Sequence, residues 1–233
     1  MQGWYIGITA ASQAVKAGST PVPCSNSAHI QGMRALFFYL HFPAVGDIMG
    51  TETAKHCCGY REVKSMNINT ERLIITEFTM DMAEAVHLNS LDEDNRRFVP
   101  DEVFETVEEA ADTIAFLMGV YESGEGPLVY PILLKDGSCI GYVQAVPFED
   151  GTWEIGYHIG AAYTRQGYAT EAVQAFLPVI LPKLGIDRIQ GICLAENLAS
   201  RKVMERCGFV KEFEGPGPYQ GAEREICRYS FAG

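Results

Sequence analysis

Two Asp-Gly pairs, Asp136-Gly137 and Asp150-Gly151, each separate apolar runs and constrain this chain more than any other feature. Asp-Gly between such runs favours hairpins, because the turn needs a residue at positive φ. Leu128 to Leu134, Cys139 to Val146 and Thr152 to Ile159 are therefore predicted to form an antiparallel meander of three strands. Upstream, Arg72 to Glu77 reads as a strand and Asp81 to Leu91 as a short helix. Thr106-x-x-Glu109 is a capping box. It opens an amphipathic helix with Val107, Ala110, Ala111, Ile114, Leu117, Met118 and Tyr121 on one side, ended by Gly124 and Gly126-Pro127.

After the meander the pattern changes to helix, strand, helix, strand. Thr170 to Leu181 is predicted helical, with Pro178 kinking it or ending its regular part. Arg188 to Ala195 is a strand, and Leu198 to Cys207 a helix ended by Gly208. Phe209 to Glu214 and Glu225 to Phe231 are closing strands, joined by a loop over Gly215 to Gly221. The fold class is α+β, with a mixed sheet.

Composition narrows the function. The formal charge is −12, which argues against nucleic acid, since phosphate binding needs a basic surface. That charge either draws a cationic amine or simply aids solubility. No stretch approaches the ~18 apolar residues of a membrane helix, and the start lacks the pattern of a secretory signal. The seven cysteines are irregularly spaced without a Cys-x-x-Cys pair, so free thiols, a cytoplasmic setting and no metal are expected. His56, Cys57 and Cys58 are too few for a zinc site. Residues 1–65 carry a balance of +2 against −14 for the rest, and they lack sustained periodicity. They are read as a poorly ordered extension, either translated from an early start codon or serving as a docking arm, ahead of a domain over 66–233.

The chemistry is concentrated between Trp153 and Ala172, where a strand runs through a glycine-containing loop into a helix. Free amides at a helix start attract anions, and the helix dipole adds to this. Gly167 and Ala169 leave room for close approach, and Arg165 offers countercharge to a diphosphate. Neither Gly-x-x-x-x-Gly-Lys-Ser/Thr nor Gly-x-Gly-x-x-Gly is present there.

The order strand, Arg165-Gln-Gly-Tyr-Ala-Thr170, helix, strand, Asn197-x-x-Ser200, helix, Cys207-Gly-Phe209 resembles the GNAT superfamily of acyl-CoA-dependent N-acyltransferases. Within it, this segment and Glu71-Arg72-Leu73-Ile74 resemble the branch containing ribosomal-protein N-terminal acetyltransferases. The similarity covers about residues 67 to 231. It implies a largely antiparallel sheet flanked by helices, with splayed central strands. It also implies acetyl-CoA as co-substrate, held by amides of Arg165, Gln166, Gly167, Tyr168, Ala169 and Thr170. The main chain at His158, Ile159 and Gly160 would pair with the pantetheine arm, and Asn197 would anchor the arm or hold the splay. Thr164 departs from the family's usual Gln or Arg at the first loop position.

The implied reaction is acetyl transfer to a primary amine, of a small molecule or a protein N-terminus, by direct attack in a ternary complex. A homodimer is compatible with the sequence. Glu154 is the candidate base; the alternative is that it faces solvent or a cross-strand cation. His158, on the same strand face, either extends a proton path or is a structural histidine. The family's usual tyrosine acid falls on Met204, which has no proton to give, so Ser200 is the candidate partner of the thiol, or else belongs to the helix start. Tyr219 is a candidate substrate contact. Loss of the tyrosine leaves a second reading open, a CoA-binding sensor or interaction domain without catalysis.

Overall fold

A computed structural model describes residues 65–123, 126–148 and 150–233. The expectations for 1–65, for Cys24, His56, Cys57 and Cys58 and for Gly124 lie, but for Ser65, outside the described residues. Among the described residues, eight strands form one sheet: β1 (Ile68–Asn69), β2 (Leu73–Ile75), β3 (Leu128–Leu134), β4 (Cys139–Pro147), β5 (Trp153–Ile159), β6 (Arg188–Leu194), β7 (Val210–Tyr219) and β8 (Ala222–Ala232). Their order across the sheet is β1-β2-β3-β4-β5-β6-β8-β7. Every neighbouring pair is antiparallel except β5 and β6, which run parallel and share the single register pair Glu154↔Gln190. Five α-helices of the described residues flank the sheet: α1 (Ala83–Ser90), α2 (Glu93–Phe98), α3 (Val107–Ser123), α4 (Tyr168–Leu184) and α5 (Leu198–Arg206). Helix α1 packs on α3 and β4, while α4 packs on β2, β4 and β5, with α5 beside it.

The Asp-Gly turns form for the expected reason. Gly137 and Gly151 have φ of 92° and 81°. The Asp136 and Asp150 carboxylates accept the Ser138 and Thr152 amides, each at 2.9 Å. The core is built from alternating strand residues (Tyr130, Ile132, Val143, Ala145, Ile155) closed by Val173, Phe176 and Ile180 of α4.

Three expectations are corrected. Pro178 neither ends nor breaks α4, which continues to Leu184 with Pro178 and Pro182 inside it. Both prolines lie on the exposed face, where water can satisfy the carbonyls they free, while Phe176, Leu177, Ile180 and Leu181 stay buried. On α3, Val107 and Met118 point to solvent, and the buried stripe is Ala110, Thr113, Ile114, Leu117 and Val120. Finally, Gly215 to Gly221 is not a loop. Strand β7 runs through it to Tyr219 and turns only at Gln220-Gly221, with φ of 49° and 74°. Pro216 and Pro218 are tolerated because β7 is an edge strand, bonded only to β8.

Candidate active site

Strands β5 and β6 meet at Glu154↔Gln190 and then diverge, and a cavity of about 720 Å³ opens at the divergence. The Gly160 N–H donates to Ile140 O at 2.9 Å. Antiparallel bonding alternates along a strand, so the amides of His158 and Gly156 also point to β4, and those of Tyr157 and Ile159, beyond the Glu154↔Gln190 pairing, point into the gap. The expectation for the pantetheine arm is corrected accordingly. Ile159 offers a free edge, whereas the His158 and Gly160 amides are engaged by β4. Gly160 does not line the cavity, and a Cβ there would collide with the Asn89 side chain.

At one end of the cavity lies the start of α4. Arg165 and Gly167 adopt positive φ, 63° and 83°, which folds the chain sharply into the helix. The first bond of the helix is Glu171 N–H to Gly167 O, so the amides of Gly167, Tyr168, Ala169 and Thr170 have no partner within it. Arg165 and residues 167–170 line the cavity, as do Lys202 and Arg206 of α5. Unpartnered amides beside three cations suit a diphosphate. Gln166 is off the cavity wall, and its carbonyl accepts from Arg72 Nη1 at 3.0 Å. Arg72 also pairs with Glu171 at 2.6 Å and lies over the Tyr168 ring at 4.5 Å, so it ties the loop to β2. The Thr164 hydroxyl donates to Ala161 O at 3.0 Å.

Along the β6 wall, the Asn197 side chain caps α5, accepting the Ser200 N–H at 3.1 Å. Its oxygen is thereby committed to the helix. The Ser200 hydroxyl is 2.9 Å from the Tyr157 hydroxyl, and Tyr157 donates to Ser200 O at 3.0 Å. Burial pushes the Tyr157 phenol far above its ordinary range. Burial likewise pushes the nearby Cys193 thiol up to about 12, with the Ser200 hydrogen bond opposing. Met204 is buried against Gly191, where a Cβ would sit 2.7 Å from its sulfur.

Where β5 and β6 part, the lining is acidic, with Glu154 and Glu102. Glu154 is 5% exposed, so it does not face solvent. Burial raises its carboxyl well above the ordinary value, the Ile192 N–H opposes, and nearby Glu102 raises it further. Glu102, 6% exposed, is pushed up to about 8 by burial, against a hydrogen bond from Gln144 and with Asp101 adding to the rise. Gln144 lies across β5 at Gly156, where a Cβ would fall 2.5 Å from its amide nitrogen. Glu154 Oε2, Glu102 Oε2 and Gln144 Oε1 are buried without a hydrogen-bond partner among the described residues.

His158 is bound instead to Asp92, Nε2 to Oδ2 at 3.6 Å, and packs on Tyr142. That contact with His158 holds the Asp92 carboxyl below its ordinary value, against desolvation. Tyr219 lines the cavity but donates its hydroxyl to Phe98 O at 3.1 Å. Sequence reasoning missed Gln144, Tyr157, Lys202 and Arg206. Gln144 alone carried a local signal, a polar residue inside an apolar strand. No group of His, Cys, Asp and Glu among the described residues could hold a metal.

The chain matches the family described as "Acetyltransferase (GNAT) domain" over residues 72–210. It is 34% identical over 149 residues to the N-acetyltransferase YnaD of Bacillus subtilis, covering 63% of this chain and 84% of that protein. A GNAT-family acetyltransferase from Bacillus anthracis superposes with a TM-score of 0.61 at 29% identity, covering 72% of this chain and 98% of that one. A ribosomal L7/L12 α-N-protein acetyltransferase, RimL, in complex with coenzyme A shares the fold, with a TM-score of 0.61 at 18% identity over 72% of this chain and 98% of that chain.

Proposed function

The chain belongs to the GNAT acetyltransferase family, and from that premise we propose that it moves an acetyl group from acetyl-CoA to a primary amine by direct attack in a ternary complex. One observation carries this reading. The strands part at Glu154, so a single cavity has helix-start amides at one end and a buried carboxyl at the other.

The amides of residues 167–170, with Arg165, Lys202 and Arg206, hold the diphosphate of the co-substrate. The gap-facing edge of Tyr157 and Ile159 orients its arm as an added strand would. Glu154 takes the proton that leaves the attacking nitrogen; a carboxyl raised by burial is basic enough for that work. A gap-facing amide of β5 donates to the oxyanion. The paired hydroxyls of Ser200 and Tyr157 supply the proton that the departing sulfur needs, in place of the side chain that Met204 lacks. RimL was solved with coenzyme A, which supports the same co-substrate here. No helix among the described residues is long and apolar enough to cross a membrane, and free cysteines support a reducing, cytoplasmic setting.

A thiol-release assay with acetyl-CoA and a panel of primary amines tests the reading. Glu154→Gln lowers turnover by about 10² to 10⁴ at neutral pH and leaves CoA affinity nearly intact. Unchanged turnover removes Glu154 as the base. Absence of both CoA binding and thiol release removes the whole reading.

A further inference from the structure

Met204 lines the cavity and is 2% exposed, yet it takes no part in the proton transfers above. It lies one helical turn beyond Ser200, on the same side of α5. Its thioether reaches across the seam where β5 and β6 begin to part. A Cβ on Gly191 of β6 would fall 2.7 Å from the Met204 sulfur and 3.1 Å from Ile155 Cγ2 of β5. The missing side chain of Gly191 is therefore the notch that the sulfur occupies. The β6 main chain behind that notch leaves the sulfur no room to retreat.

Strand alternation fixes what faces the gap from each side. Tyr157 reaches Ser200 of α5, so Ile155, two residues earlier, also faces α5. Glu154 leaves the other face, together with Gly156, over which Gln144 lies. An amine that gives its proton to Glu154 attacks from that other face. A nucleophile meets a thioester carbon perpendicular to its plane, so the thioester lies flat along the sheet. Its acyl chain then points along the gap toward the Glu154↔Gln190 pairing, with Ile155 and Met204 beneath it. The paired main chain ahead cannot give way, and Ile155 is β-branched and stiff. Room for a longer chain has to come from Met204.

We propose that Met204 sets the length of the acyl group, confining the enzyme to acetyl by filling the space that further acyl carbons would take. This rests on the acetyl-transfer reading above and adds the residue that selects its donor. Met204→Ala removes Cγ, Sδ and Cε and so leaves room for the longer chain of a butyryl group. Gly191→Ala acts in the opposite sense, because its methyl drives the sulfur out of the notch toward the cavity.

The experiment is calorimetric titration of the full chain with CoA, acetyl-CoA and butyryl-CoA, for wild type and the two variants. Wild type should bind butyryl-CoA at least tenfold more weakly than acetyl-CoA, the scale on which added methylenes are rejected by a tight apolar pocket. Met204→Ala should bring the two thioesters within about threefold of each other. Gly191→Ala should weaken acetyl-CoA at least fivefold relative to CoA. CoA affinity within about twofold of wild type reports an intact fold in each variant. Equal binding of the two thioesters by wild type overturns the proposal, as does an unchanged gap between them in a Met204→Ala protein that binds CoA. Should Met204→Ala not fold, an unchanged ratio of acetyl-CoA to CoA affinity in Gly191→Ala overturns it. Failure of wild type to bind CoA defeats the acetyl-transfer reading instead.

Discussion

Raising the pH from 6 to 8 should destabilise the ligand-free protein, and Glu102→Gln should remove much of that loss. In the unfolded chain the Glu102 proton leaves near 4.5; in the folded chain burial holds it to about 8. The folded state therefore binds more protons between these values. Its stabilisation is complete below 4.5 and is lost as the pH climbs to about 8. At ~1.4 kcal/mol per pH unit, levelling off as the folded group titrates, the loss between pH 6 and 8 is about 2 kcal/mol from Glu102 alone. Glu154 is raised for the same reason and adds in the same direction. The thiols of Cys139, Cys193 and Cys207 are pushed up to about 11 or 12 and titrate above this window. Asp92 and Glu171 are lowered and titrate below it. Urea unfolding of the full chain, followed by circular dichroism at pH 6, 7 and 8, gives the free energies. Wild type should lose at least ~2 kcal/mol across the range, and Glu102→Gln clearly less. Equal losses in the two proteins would refute the assignment of Glu102 as a buried, proton-retaining group.

Other consequences follow from the same geometry. Arg72→Ala should weaken CoA roughly fivefold in equilibrium binding, because it frees the loop at Gln166. It should cost under ~1 kcal/mol of stability, since the Arg72–Glu171 pair is partly exposed. Tyr157→Phe should lower kcat about tenfold with little change in KM for acetyl-CoA if its hydroxyl supports Ser200 as proton donor. Gly167→Trp should abolish measurable CoA binding, because a bulky side chain fills the cradle and its φ of 83° disfavours any side chain. Gly141→Ala should cost about 3 kcal/mol in urea melts and Gly191→Ala only about 1 kcal/mol. The first Cβ meets the rigid main chain at His158, and the second meets the flexible Met204 sulfur.

Much of the fold is legible along the chain because its determinants are local. Asp136-Gly137 and Asp150-Gly151 encode their own turns, and the continuous apolar runs of β3 and β4 encode strands buried on both faces. The loop at 165–170 is legible for the same reason, since a strand, a glycine at positive φ and a helix start are neighbours in sequence. Prolines misled where their cost depends on surroundings. Pro178 is harmless on a solvent face, and Pro216 and Pro218 are harmless on an edge strand. A residue-by-residue reading cannot know which strand is the edge.

The sequence by itself indicated the order of most elements, the turn proposed to bind an anion and Glu154 as a candidate base. Tertiary structure decided what surrounds that carboxyl. It brought Glu102 from the connection after α2 and Gln144 from β4 to the place where β5 leaves β6, and it turned His158 toward Asp92. The physical reason is range. Turn and helix-start preferences act over a few residues, whereas desolvation and the pairing of buried polar groups depend on every element that closes over them.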